Sequence, residues 1–306
     1  MQSDSSRVFV AACALLLLAT RGLGDPVGLG QDSRHLLRLS DRVGQTSRYR
    51  LAFDIEMRAD YAGPPQRDAG VRQLLETLAE GMVLRTALDF EQRLKSVGAD
   101  GTRTFDVRWH DYAFRGDVGG RPIPPPPGHL DATRELLSRS AEIRTTATGQ
   151  TLAVDFDHPR LAELAERIER IEGAMPTYLP EVPVAVGDSW TSVAHFPVEL
   201  TPGGLGSLDL RLEHTLVELR TGVGGPVAVI ELRGSYSRLQ GLEEGGAGIP
   251  IHLQAAMTGR TRFDVAAGRF VDGHYEIDMF ALHAADGIEI QLTGHANGTL
   301  ELVSER

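Results

Sequence analysis

The 306-residue chain has one cysteine, Cys13, and one lysine, Lys95. Aromatic residues make up only 6% of it. Its longest apolar run, residues 8–19, is 12 residues long. A membrane-spanning helix needs about 20. Each shortage excludes something. One cysteine cannot form an internal disulfide, and alone it cannot build a thiolate metal site. Few lysines and aromatics, with a net charge of −11, leave no basic patch with interleaved aromatics. Nucleic acid is therefore not an expected partner. The motifs of common catalysts are missing too. There is no His-Glu-x-x-His, no Gly-x-x-x-x-Gly-Lys and no Gly-x-Ser-x-Gly. Gly187-Asp188-Ser189-Trp190 lacks the second glycine of that last motif and leads into a strand signal. No catalytic residue, metal ligand or cofactor is assigned.

The apolar run lies where it reads as an address. A short polar start with Arg7 precedes it, and Gly22-Leu23-Gly24 follows. This is the pattern of a secretory signal over residues 1–24, with cleavage near Gly24. The expectation is an exported protein, periplasmic or outer-membrane-associated in a bacterium. Cleavage would leave 29 basic and 41 acidic residues, a charge of −12, and no cysteine. Val10-Ala11-Ala12-Cys13 also resembles a bacterial lipoprotein processing box, which would make Cys13 a lipidated first residue. Such a box closes the apolar run, whereas here the run continues for six residues past Cys13.

Hydrophobic residues at 42% and charged residues at 24% are ordinary for a globular protein. After a flexible leader at 25–33, the signal is mainly β. Tyr49, Leu51, Phe53, Ile55 and Met57 alternate with polar or small residues. Period two places one face inside and one in water, as in an antiparallel sheet. The same alternation recurs through Met82, Leu84, Leu88, Phe90 and Leu94, through Phe105, Val107 and Trp109, through Leu208–Leu212, and through Tyr275, Ile277, Met279 and Ala281. The last strands run over about 286–302. Glycine-rich links, among them Gly224-Gly225 and Ala267-Gly268, supply tight hairpins. The pattern predicts an up-and-down meander of about ten or eleven strands.

Three segments have helical spacing. Val71, Leu74, Leu75 and Leu78 stop at Gly81; a shorter one covers about 131–140; the strongest covers 158–173. Pro122–Pro127 reads as a stiff surface loop. Residues 34–302 form a single β-rich domain. A faint echo between 144–155 and 264–272 allows two related halves, 34–156 and 180–302, joined by the 158–173 helix.

Isolated polar groups have plain readings. Asp155 and Asp157 cap the 158–173 helix. His110 and Asp111 are the wet side of a strand. His214 shares the register of Leu208, Leu210 and Leu212, and reads as a hydrogen-bonded core histidine. Asn297-Gly298-Thr299, a glycosylation sequon on paper, reads as a tight turn.

Pro180-Glu181-Val182-Pro183-Val184-Ala185-Val186-Gly187-Asp188-Ser189-Trp190 is the most distinctive tract. With Phe263-Asp264 and Gly268-Arg269-Phe270 it resembles an uncharacterised family of exported bacterial β-rich proteins, over roughly residues 34–302. The family has no established activity, so the resemblance implies no catalytic residue. The element count also looks like periplasmic lipoprotein carriers. That resemblance implies an incomplete barrel whose concave face, lidded by helices, holds acyl chains; fold alone does not fix function.

The expectation is a curved antiparallel sheet or open β-barrel with two or three helices on one face. Its function would be non-catalytic binding of a hydrophobic ligand, a lipid or a lipoprotein. The lining would be Phe53, Ile55, Met57, Phe90, Trp109 and Met279. A structural module of the envelope, acting on another envelope protein through an exposed face or sheet edge, is the alternative. An exported hydrolase is a third reading.

Overall fold

A computed structural model describes residues 33–63, 69–124, 134–156, 179–201, 204–222, 224–240, 251–285 and 288–306. The signal segment, nearly all of the leader and the 158–173 helix lie outside these residues. Twelve strands form one antiparallel sheet, not closed on itself: a strongly curved sheet or open barrel.

The first strands are β1 (Thr46–Ala62), β2 (Met82–Val97), β3 (Arg103–Val118) and the short β4 (Arg121–Ile123). Then come β5 (Ser140–Thr145), β6 (Thr151–Phe156), β7 (Ser189–Thr201) and β8 (Gly204–Gly222). The last are β9 (Gly225–Gln240), β10 (Ile251–Asp264), β11 (Arg269–Ala285) and β12 (Ile288–Glu305). One helix, α1 (Ala69–Ala79), bridges β1 and β2, and residues 134–137 form a single helical turn.

The order across the sheet is β6-β5-β3-β2-β1-β12-β11-β10-β9-β8-β7, with β4 added on β3. One meander would have placed β1 at an edge. Instead β1 lies in the middle, paired with β12 from Ser47↔Glu305 to Ala62↔Glu289. The chain walks outward from β1 to the β6 edge, then restarts at the β7 edge and walks back to β12. Hairpin signals are local, whereas the β1–β12 ladder joins residues about as far apart as the domain allows. The strand count exceeds the sequence expectation because the start of the proline tract folds back as β4, with Pro122 opposite Asp117. Pro122 sits on an added edge segment, where its missing N–H costs no central ladder bond.

Alternation along β1 is as the sequence implies: Tyr49, Leu51, Phe53, Ile55 and Ala59 are buried, while Arg50, Asp54, Glu56, Arg58 and Asp60 are exposed. Asn297-Gly298-Thr299 is not a turn. It runs through the middle of β12, with Asn297 opposite Asp54 and Gly298 opposite Phe53. The glycine is there because the Phe53 ring occupies its side-chain space. A Cβ on Gly298 would lie 2.7 Å from Phe53 Cε1.

One end of the sheet is strapped shut. Residues 33–45 run across it and bond to hairpin after hairpin. His35 pairs with Val184; Leu39 N–H donates to Ala147 O, Ser40 N–H to Gly268 O, and Gly44 N–H to Leu94 O. Arg103, 3% exposed, points up from β3 into this strap. Its Nε donates to the carbonyls of Leu39 and Ser40 and its Nη1 to Gly101 O, and Nη2 pairs with Asp41. Beneath the strap, Leu37, Leu179, Val184, Leu216, Ile230 and Phe263 make a separate apolar cluster. The opposite end carries α1, whose Leu75 and Leu78 pack on the main core.

Candidate ligand-binding face

Register defines what the inner face presents. One row crosses from β9 to β3 as Leu232, Gly259, Tyr275, Gly298, Phe53, Thr86 and Phe114. The next, towards α1, is Gly234, Met257, Ile277, Ala296, Ile55, Leu84 and Gly116. Nearest α1 comes Ala255, Met279, Gly294, Met57, Met82 and Val118. Large and small residues alternate along the first row, and each of the other two rows sets glycine or alanine among its large residues. The glycines let their neighbours lie flat: a Cβ on Gly259 would collide with the Tyr275 ring, and one on Gly294 would meet Met279 Cε at 3.1 Å. Side chains crowd on the concave side of a curved sheet, so glycine there is what strong curvature requires.

The six sequence-predicted lining residues all project from this face. Phe53 and Ile55 are buried in the main core, and Met57 and Met279 are half-buried around Gly294. Phe90 stacks on Tyr49 with ring centroids 5.5 Å apart, and Trp109 stacks on Phe156 at 5.6 Å. The structure therefore splits them. Four lie in the rows between mid-sheet and α1. Phe90 and Trp109 lie nearer the strap, on the β2–β3 side.

Sequence reasoning missed Met82 and Met257. Both stand in the same rows as Met57 and Met279, and Met82 is the direct cross-strand partner of Met57. Every methionine among the described residues thus faces inward. The signal was present for Met82, which heads the alternation Met82, Leu84. It was weak for Met257, because Gly259 and Thr261 dilute the pattern that follows it.

Polar groups on this face are few and engaged. His214 is 1% exposed, bonded through Nε2 to Ser192 Oγ at 2.8 Å and stacked 5.4 Å from the Trp190 ring. Burial lowers its pKa to about 4, so it is neutral at pH 7. This is the core histidine expected from the register. Tyr49 is fully buried, its pKa pushed up to about 12 by desolvation, and its hydroxyl donates to Phe270 O at 3.2 Å. In the three rows there is no Asp, Glu, Lys or Arg.

The charged pairs of the middle of the sheet lie on the outer face. Asp89 accepts from Arg50 (2.8 and 3.1 Å) and Arg48 (3.2 Å). The Arg50 hydrogen bonds foremost hold its carboxyl below the usual range. His295 bridges Asp278 at 2.8 Å and Asn297 at 3.0 Å, and His274 meets Glu276 at 3.1 Å. His110 and Asp111 are exposed on β3, as expected. Among the described residues no three His, Cys, Asp or Glu side chains group to hold a metal ion. Of the proposed helix cap, Asp157 and His158 lie outside the described residues.

The distinctive tract belongs to the strapped end. Gly187 (φ 95°) and Asp188 form its turn, with Ala185 N–H donating to Asp188 Oδ2 at 3.0 Å. Val184, Val186 and Trp190 join the cluster under the strap. Phe263 and Phe270 meet edge to face there at 5.2 Å. Both tracts are thus parts of one structural cap, on the far side of the methionine rows. No protein-family model and no curated protein matches this chain.

Proposed function

We propose that this is an exported envelope protein that binds a hydrophobic ligand, a lipid or the acyl chains of a lipoprotein, on the inner face of its sheet without catalysis. The observation that carries the reading is the methionine group at the α1 end. Met57 and Met279 are half-buried on an open sheet, next to Met82 and Met257. Unbranched thioether side chains adapt to irregular apolar shapes and are favoured on promiscuous binding surfaces. The uncharged rows suit an acyl chain, and the lack of an acid–base pair on them argues against hydrolysis. The sequence's element count, which looks like that of open-barrel lipoprotein carriers, points the same way.

The test is native mass spectrometry of the protein purified from a bacterial envelope, with lipid extraction and a thermal-shift series. Co-purifying lipid and a lipid-dependent rise in melting temperature are expected. A clean apo mass with no shift would refute the reading.

One observation favours an adaptor role as the second reading. The two sheet edges, β6 and β7, carry exposed Leu152 and Val193, each 51% accessible. Exposed edges are ready templates for strand addition. Crosslinking from position 152 or 193 to one envelope protein, without bound lipid, would support it.

A further inference from the structure

Resting on the lipid reading, we infer that the buried part of the ligand is uncharged: the face accepts neutral acyl lipids, such as acylglycerols and acyl esters, and disfavours the carboxylate of a free fatty acid.

From one end of the sheet to the other, the charges near the inner face are each engaged or absent. At the strapped end the cations are Arg103, whose guanidinium is already committed to Leu39, Ser40, Gly101 and Asp41, and Arg269, which lies near the Tyr49 hydroxyl and is paired with Glu305. Next comes His214, enclosed by Ser192 and Trp190 and neutral at physiological pH. Then follow the three rows without acid or base. At the α1 end charge returns with Arg121, and that side chain is paired with Glu80. A carboxylate buried in the rows finds no counter-charge among the described residues, and an unpaired buried ion is strongly disfavoured. A carboxylate left at the rim beside Arg121 meets Glu80 as well. The molecule's net charge of −11 adds a general repulsion for anions. An ester or a glycerol head has no charge to lose. Its hydroxyls remain at the wet rim and its chain lies against methionine.

The experiment compares methyl oleate, monoolein and sodium oleate, each below its micellar concentration, by native mass spectrometry and by displacement of a neutral fluorescent acyl probe. Methyl oleate and oleate share one chain, so the contrast isolates the charge. The two neutral lipids are expected to bind at least tenfold more tightly than oleate at neutral pH, about 1.4 kcal/mol. Oleate binding as tightly as methyl oleate, or more so, would overturn this inference and leave the lipid reading standing. Failure of all three to bind would overturn the lipid reading itself.

Discussion

Replacing Gly259 by alanine tests whether glycines set the curvature of this sheet. At an ordinary strand position such a change stabilises by about 0.4–1 kcal/mol, because alanine has less freedom to lose on folding. Position 259 is different. A Cβ there would overlap Tyr275 Cδ1 and lie 2.8 Å from the His274 carbonyl oxygen. Tyr275 is 3% exposed, and Gly298 flanks it on the other side, where Phe53 lies. The ring has no free space to move into, and the carbonyl belongs to the ladder. Overpacking of this kind costs about 1–3 kcal/mol. Overpacking therefore wins, and Gly259→Ala should destabilise by a net of about 1–2 kcal/mol. For a domain of this size that lowers the melting temperature by roughly 2–8 °C. Chemical denaturation, with circular dichroism as readout, measures it. The companion is Tyr275→Ala. In that background the methyl added at position 259 enters vacated space, so Gly259→Ala should become neutral or favourable, a coupling of about 1–3 kcal/mol. A Gly259→Ala protein as stable as wild type, or additive effects of the two changes, would refute the reasoning.

Burial depresses the pKa of His214 from 6.5 to about 4, so protons bind the unfolded chain first. His214 thus costs the fold nothing above pH 6.5, and its penalty grows as pH falls to about 4, reaching about 3 kcal/mol; urea titrations of wild type and His214→Gln should diverge in slope across that window. Arg103→Met leaves the carbonyls of Leu39 and Ser40 without their donor, a cost of about 2–4 kcal/mol; hydrogen exchange should rise at residues 33–45 before the β1–β12 ladder, and uniform exchange would count against the strap. A protease site placed between residues 157 and 178 should yield two fragments that stay together on native gel filtration, because the β1–β12 ladder and the strap join them; separation without denaturant would refute that topology.

How much of this was legible beforehand depended on the range of each interaction. The inward positions of β1 and β2, and the span of α1, follow from period-two and period-3.6 spacing, which are properties of neighbouring residues. The partnership of β1 with β12 leaves no such trace. Nothing in Tyr49 or Leu302 announces the other, and only sheet register brings them opposite. Gly298 shows the same limit from the other side. A glycine after asparagine is a turn by local chemistry, but here the Phe53 ring, supplied by a distant strand, decides its role. In the sequence, residues 34–45 carry only the marks of a domain's start. The strap's function depends on Arg103, which stands two residues before Phe105 in the inward alternation of β3, but whose partners Leu39, Ser40 and Asp41 only the fold supplies.

The two kinds of sequence signal also point to different ends of the molecule. The conspicuous tracts, with their prolines, tryptophan and paired phenylalanines, build the capped end, where a fixed arrangement must hold the strap against several hairpins. Such a cap demands particular residues at particular places: a left-handed Gly268 packed against the Ser40 backbone, a turn closed by the Asp188 carboxylate. The proposed binding rows demand something weaker. They need apolar bulk beside glycine, no charge and some flexibility, and many sequences meet that. A face selected for adaptability rather than for fixed geometry leaves composition as its mark and no motif. This is why nothing but its place in an alternation marks Met82, and why Met257, followed by Gly259 and Thr261, carries no local mark at all. It also means that the rows should tolerate interchange among methionine, leucine and isoleucine, while a single carboxylate placed among them, as in Met279→Glu, abolishes acyl binding. Retained binding in that variant would show that the ligand lies elsewhere.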